Sequence, residues 1–144
     1  MPDIQVQVTR ELDLDEVIAL YAAVGWTAYT REPETIRAGL RGASFVAAAF
    51  AAGRLVGLVR AVSDDATVCY LQDLLVHPDA QRSGVGRALV TAVLDRYSRV
   101  RQHVLLTDDE PGQRAFYESV GFTEIRDVED ANLSAFVRFV RFGR

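Results

Sequence analysis

Residues 70–97 read YLQDLLVHPDAQRSGVGRALVTAVLDRY, and the rest of the 144-residue chain is arranged around them. Tyr70 to Val76 is an apolar run broken only by Gln72 and Asp73, the pattern of a buried strand. His77-Pro78-Asp79-Ala80 punctuates it as a turn. Gln81-Arg82-Ser83-Gly84-Val85-Gly86 then opens directly into an amphipathic helix. Strand, glycine-bearing loop and helix start form an anion-binding geometry. The first amides of a helix lack intrahelical acceptors and carry the positive end of its dipole. Gly84 and Gly86 have no Cβ, so a pyrophosphate can approach the backbone closely.

Two common phosphate motifs are not matched. A dinucleotide fingerprint needs a third glycine three positions after Gly86, where Leu89 stands. A nucleoside-triphosphate loop needs a lysine, and the chain contains none. What does match is Q/R-x-x-G-x-G/A, with Gln81, Gly84 and Gly86 in place, LLVHP upstream and AFYESVGF downstream. On these residues, over positions 70–122, the chain resembles the GCN5-related N-acetyltransferase (GNAT) superfamily.

Composition sets the outer limits. At 144 residues and 49% hydrophobic, residues 1–144 are expected to form one domain with a sizeable core. No apolar run approaches the ~20 residues of a membrane span, and MPDIQVQV has no basic leader-like region, so a cytoplasmic protein is expected. The net charge of −4 argues against a nucleic-acid surface. One cysteine, Cys69, excludes an internal disulfide, and with two histidines, His77 and His103, no metal site is expected. Acidic residues gather at 108–110 and 127–130, as a lure for a cationic acceptor or as a solvated face.

Taken in order, Ile4, Val6 and Val8 alternate with polar residues as a half-buried strand. Asp13 caps a helix carrying Leu14, Val17, Ile18 and Tyr21 and ending near Gly25. Trp26–Thr30 reads as a loop, and Pro33–Arg41 as a second helix. Residues 44–51, 54–63 and 67–76 read as three antiparallel strands, the first two joined by a tight hairpin at Ala51-Ala52-Gly53. Along the third, alternation puts Leu71, Asp73 and Leu75 on one face and Tyr70, Gln72, Leu74 and Val76 on the other. Residues 84–97 form the helix behind the glycine loop. Val104–Thr107 reads as a central strand parallel to 70–76, through a right-handed crossover. A helix from Pro111 to Gly121 and strands at 122–128 and 134–142 complete the chain. The fold class is α+β: a mixed, mostly antiparallel sheet of six to seven strands with about four helices.

The resemblance implies more at particular residues. The parallel strands 70–76 and 104–107 would splay apart, with the pantetheine arm of acetyl-CoA pairing with Leu74, Leu75 and Val76. The pyrophosphate would rest on residues 81–87: Gln81, Arg82, Ser83, Gly84, Val85, Gly86 and Arg87. Tyr117 of AFYESVGF would protonate the leaving thiolate, its alternative being core packing with the hydroxyl at the surface. Asp73 is a carboxylate in an apolar strand; it serves as a water-mediated base or as a brace for a neighbouring loop. Trp26 and Tyr29 lie where the family covers its acceptor pocket, as an aromatic lid or as loop core.

The expected activity is therefore acetyl transfer from acetyl-CoA to a primary amine of a small molecule. A protein N-terminus or lysine is the alternative acceptor, and a non-catalytic acyl-CoA-binding module the alternative outside the enzyme class. The C-terminal strand is a candidate for joining a homodimer sheet, as is common in the family.

Overall fold

The computed structural model describes residues 3–140 and divides the chain into two compact units, Met1–Leu106 and Thr107–Arg144. The first unit holds a five-stranded sheet in sequence order, β1 (Ile4–Val8), β2 (Phe45–Ala51), β3 (Arg54–Ser63), β4 (Val68–Val76) and β5 (Gln102–Leu105). The first four run antiparallel to their neighbours, and β5 pairs parallel to β4. The α+β class, the three-strand meander and the parallel crossover are those expected. The strand count is lower, for two reasons. Residues 122–128 form only a 3-10 turn at Ile125–Asp127, started by the Glu124 side chain accepting from the Arg126 amide at 2.7 Å. Residues 134–140 form no strand, leaving Phe136 95% and Phe139 80% exposed. A ladder needs a neighbouring edge to take up its backbone groups, which alternation alone does not supply. Residues 141 and 142 of that expected strand lie outside the described residues.

One face of the sheet is covered by α1 (Leu14–Ala23), α2 (Thr27–Thr30) and α3 (Pro33–Gly42). Asp13 starts α1 as expected, its Oδ1 accepting from the amides of Asp15 at 2.8 Å and Glu16 at 3.3 Å. Residues 27–30, read as loop, make one helical turn. Val17, Leu20 and Tyr21 of α1 and Ile36 and Leu40 of α3 bury against Val46, Ala48, Leu58 and Leu75. The opposite face packs α4 (Val85–Arg96), which buries Val85, Leu89, Val90 and Val93. Gly57 sets how closely α4 approaches: a Cβ there would come within 2.7 Å of Val85 and 2.9 Å of Leu89. β5 stands at the end of the sheet rather than at its centre, and its residues are at most half-buried.

The β2–β3 hairpin turns on Ala52 (φ +50°) and Gly53 (φ +78°). Two left-handed residues are the signature of a type I′ turn, where Asn-Gly is preferred and alanine carries strain. Ala52→Asn is therefore expected to stabilise the fold by about 0.5–1 kcal/mol, or about 2–4 °C in Tm. An unchanged or lower Tm in a calorimetric scan would refute this.

Candidate active site

The pairing of β5 with β4 covers only Val68 to Leu71. From Asp73 to Val76, β4 is held on one side by β3, while from Gln72 onward no strand of the described residues pairs with its other side. That stretch presents an open backbone edge. Its end is fixed by the His77 amide, which donates to Val56 O at 2.8 Å. A 3-10 turn, Pro78–Ala80, follows, with His77 Nδ1 accepting from the Asp79 amide at 3.1 Å. His77 is thus a turn residue.

The loop then reverses through two left-handed residues, Arg82 (φ +65°) and Gly84 (φ +88°). Ser83 Oγ donates to Ala80 O, and Gln81 Nε2 reaches back toward Val76 O at 3.4 Å. Gln81 thus ties the loop to the strand end. The first bond within α4 runs from the Ala88 amide to Gly84 O at 3.0 Å, and no side chain caps the helix. The amides of Val85 and Gly86 accordingly have no acceptor inside α4. Val85 is buried under the loop, while Gln81, Arg82, Gly84 and Arg87 are exposed. An open strand edge leading into an uncapped helix start suits a ligand that is amide-bearing at one end and anionic at the other.

Strict alternation fails in β4. Arg60 pairs with Asp73 but Ala61 pairs with Leu71, so Gln72 is an extra residue, a β-bulge. The bulge turns Gln72 to the same face as Asp73, toward α1 and α2: Gln72 Nε2 donates to Tyr29 Oη at 3.3 Å, and Tyr21 Oη donates to Asp73 Oδ2 at 2.7 Å. The expected grouping of Asp73 with Leu71, and of Gln72 with Leu74 and Val76, is therefore corrected. Asp73, 2% exposed, also accepts from Arg60 Nε at 2.7 Å. Arg60 Nη1 extends to Gly39 O at 3.5 Å. Burial, then the Asp73 carboxylate, push the Tyr21 phenol far above its usual range. Burial opposes the charge on Arg60, but Asp73 and Tyr21 together outweigh it and raise the guanidinium further. A carboxylate held by an arginine and a phenol is engaged as a brace joining β3, β4 and α1. These contacts fit the bracing alternative for Asp73.

Tyr21, Trp26 and Tyr29 form an aromatic cluster, with centroids 5.9 Å apart for Tyr21–Trp26, 5.0 Å for Tyr21–Tyr29 and 6.2 Å for Trp26–Tyr29. Tyr21 is fully buried, Tyr29 half-buried and Trp26 37% exposed. Tyr21 roots the cluster and Trp26 forms its exposed rim.

In the second unit, α5 (Pro111–Ser119) carries Tyr117. Its ring makes edge contacts with Phe116 at 5.0 Å and Phe122 at 5.9 Å. Burial, with the Asp108 carboxylate adding to it, pushes its phenol up to about 12. Arg114 is ion-paired with Glu118 at 3.0 Å and with Asp127, so part of the acidic 127–130 stretch is matched within its own unit.

The model of the acetyltransferase (GNAT) domain family matches residues 21–141. The chain belongs to the GNAT family. The protein ycf52 of Pyropia yezoensis, named as an uncharacterized N-acetyltransferase, is 26% identical over 87% of this chain and 73% of its own. A GNAT-family acetyltransferase from Streptococcus pneumoniae superposes with a TM-score of 0.83 at 27% identity, covering 96% of this chain and 99% of that one. A putative GNAT acetyltransferase from Xanthomonas campestris gives a TM-score of 0.72 at 27% identity, over 97% and 95%. The protein is thus an acyltransferase of the N-acetyltransferase type. Among the described residues of this GNAT enzyme, no group of three or more His, Cys, Asp and Glu is placed to hold a metal ion. None of its described helices is long and apolar enough to cross a membrane.

Four site-face residues escaped the sequence reading as such: Tyr21, Arg60, Tyr70 and Gln72. Tyr21 reads as an ordinary core position of α1. Arg60 gave a signal, since it is a charge inside the apolar run RLVGLVRAVS and so needs a buried partner. Tyr70 and Gln72 become site-facing through the bulge, which alternation does not foresee.

Proposed function

We propose that this GNAT acetyltransferase transfers the acetyl group of acetyl-CoA directly to the primary amine of a small molecule, within a single domain spanning residues 1–144. The observation that carries the proposal is the open β4 edge at Gln72–Val76 continuing into the uncapped start of α4. Backbone groups of Leu74, Leu75 and Val76 are suited to receive the amide-bearing arm as an added strand. The amides at Ser83 to Arg87 are suited to a pyrophosphate, with charge added by Arg82 and Arg87. Bound acetyl-CoA supplies the activated carbonyl.

Attack by the neutral amine forms the C–N bond and breaks the C–S bond. One amine proton is lost, and the departing thiolate gains one. A strand amide, that of Leu75 or Val76, donates to the carbonyl oxygen as negative charge develops there. Tyr117 supplies the proton to the thiolate. The acceptor proton leaves through water, since Asp73 is committed to Arg60 and Tyr21.

Gly84→Asp tests the cofactor site. Aspartate usually favours a helix N-cap, but Gly84 sits at φ +88°, so the variant is strained and sets a carboxylate where phosphate is to bind. Calorimetric titration is expected to show acetyl-CoA affinity reduced by about tenfold or more, the order of one lost charge-matched contact. Unchanged affinity in the folded variant would remove the loop from the cofactor site.

A further inference from the structure

We propose that the acceptor is a primary amine with a flat apolar body, such as an aromatic amine on a short methylene spacer, and that Trp26, Tyr29, Tyr70 and Gln72 select it. This deepens the acetyl-transfer reading and rests on it. The β4 bulge is the origin of the site. By inserting Gln72 into the ladder it turns the half-exposed Tyr70 and Gln72 toward the same helices that Asp73 meets. There Gln72 Nε2 donates to Tyr29 Oη, and Trp26 stands 6.2 Å from the Tyr29 ring with 37% of its surface still open. Tyr70 is close enough to feel both Asp73 and Tyr29, which, after burial, raise its phenol. Three partly open rings thus share this face with one primary amide, which hydrogen-bonds to one of them.

The charges on this face decide between acceptor classes. Asp73 is the one charged side chain fully buried among the described residues, and Arg60 matches its charge at 2.7 Å. A polyamine or other polycation needs unmatched carboxylates for its distal ammonium groups. Asp73 offers none, whereas ring faces bury a flat apolar body well. Gln72 adds a chemical advantage. Its Nε2 is engaged with Tyr29, so the group it can offer an amine N–H is the neutral acceptor Oε1. A carboxylate in that position would favour the ammonium form and oppose attack; an amide carbonyl does not.

The test compares phenethylamine, spermidine and an alanyl tripeptide as acceptors, following thiol release by the full chain at saturating acetyl-CoA. Phenethylamine is expected to exceed both others in kcat/KM by about tenfold or more. Tyr29→Ala is expected to raise KM for phenethylamine by about tenfold while leaving acetyl-CoA Kd unchanged, a split that a general loss of structure would not give. Gln72→Glu, nearly isosteric and independent of the rings, is expected to shift the kcat/KM ratio toward spermidine by about tenfold. Preference of the wild type for spermidine or the tripeptide would overturn this inference alone. So would a folded Tyr29→Ala enzyme with unchanged KM, or a Gln72→Glu enzyme with an unchanged ratio. No thiol release from any amine, or no acetyl-CoA binding, would overturn the acetyl-transfer reading and this inference with it.

Discussion

Replacing Asp73 with alanine is expected to lower the unfolding free energy by about 3–5 kcal/mol, the cost of leaving a buried partner charge without its counter-ion. Asp73 Oδ2 accepts both the Arg60 Nε and the Tyr21 hydroxyl at 2.7 Å, and Arg60 itself is only 13% exposed. Removing the carboxylate leaves a guanidinium without its side-chain acceptor, keeping only the 3.5 Å approach to Gly39 O. It also deprives the buried Tyr21 hydroxyl of its acceptor. Asp73→Asn, which keeps the shape and one acceptor but not the charge, should cost less. The double variant Asp73→Ala with Arg60→Ala should cost less than the two single losses added together, because the second removal eliminates the stranded charge. Urea titration measures all four proteins. A loss below about 1 kcal/mol for Asp73→Ala, the range of a surface pair, would show that the network does not brace β4 against α1.

Tyr117→Phe is expected to lower turnover by about 100-fold, at the lower end of what a positioned general acid contributes, with acetyl-CoA affinity changed by no more than about twofold. The phenol has its pKa pushed up to about 12 by burial and Asp108. The sign of that shift matters. A raised pKa keeps the proton on the oxygen, so the acid form is fully populated at neutral pH. It also makes donation to a thiolate of ordinary pKa, about 8.5, less favourable. Turnover should therefore show no alkaline loss from this group between about pH 7 and about pH 10, the ordinary tyrosine value. Phenylalanine retains the ring contacts with Phe116 and Phe122, so the variant tests the hydroxyl rather than the packing. Unchanged turnover would remove Tyr117 from the acid role.

The parts of the fold legible in the sequence are those set by local chemistry. Asp13 caps α1 through its own side chain, Pro33 starts α3, and Pro111 starts α5. The β2–β3–β4 meander follows from three apolar runs with short turns, and the parallel placement of β5 follows from the handedness of a strand–helix–strand crossover. Where alternation was asked to do more, it failed. In β4 it groups Asp73 with Leu71, because a period of two has no place for the extra residue at Gln72. At 134–140 it suggests a strand, yet alternating residues form none and stay exposed when no edge pairs with them.

The sequence by itself determined the GNAT loop, the α+β class and the crossover, because each depends on residues close in the chain: the glycines at 84 and 86, the caps, and the polar breaks between apolar runs. Only the tertiary structure decided what Asp73 contacts and which side chains share its face. Tyr21, Arg60 and Asp73 are separated by 13 to 52 positions, and they meet through strand register and helix placement, not through any local pattern. A single bulge sets that register, turning an apparent lone carboxylate into a matched pair and leaving an amide and aromatic rings on the face beside it.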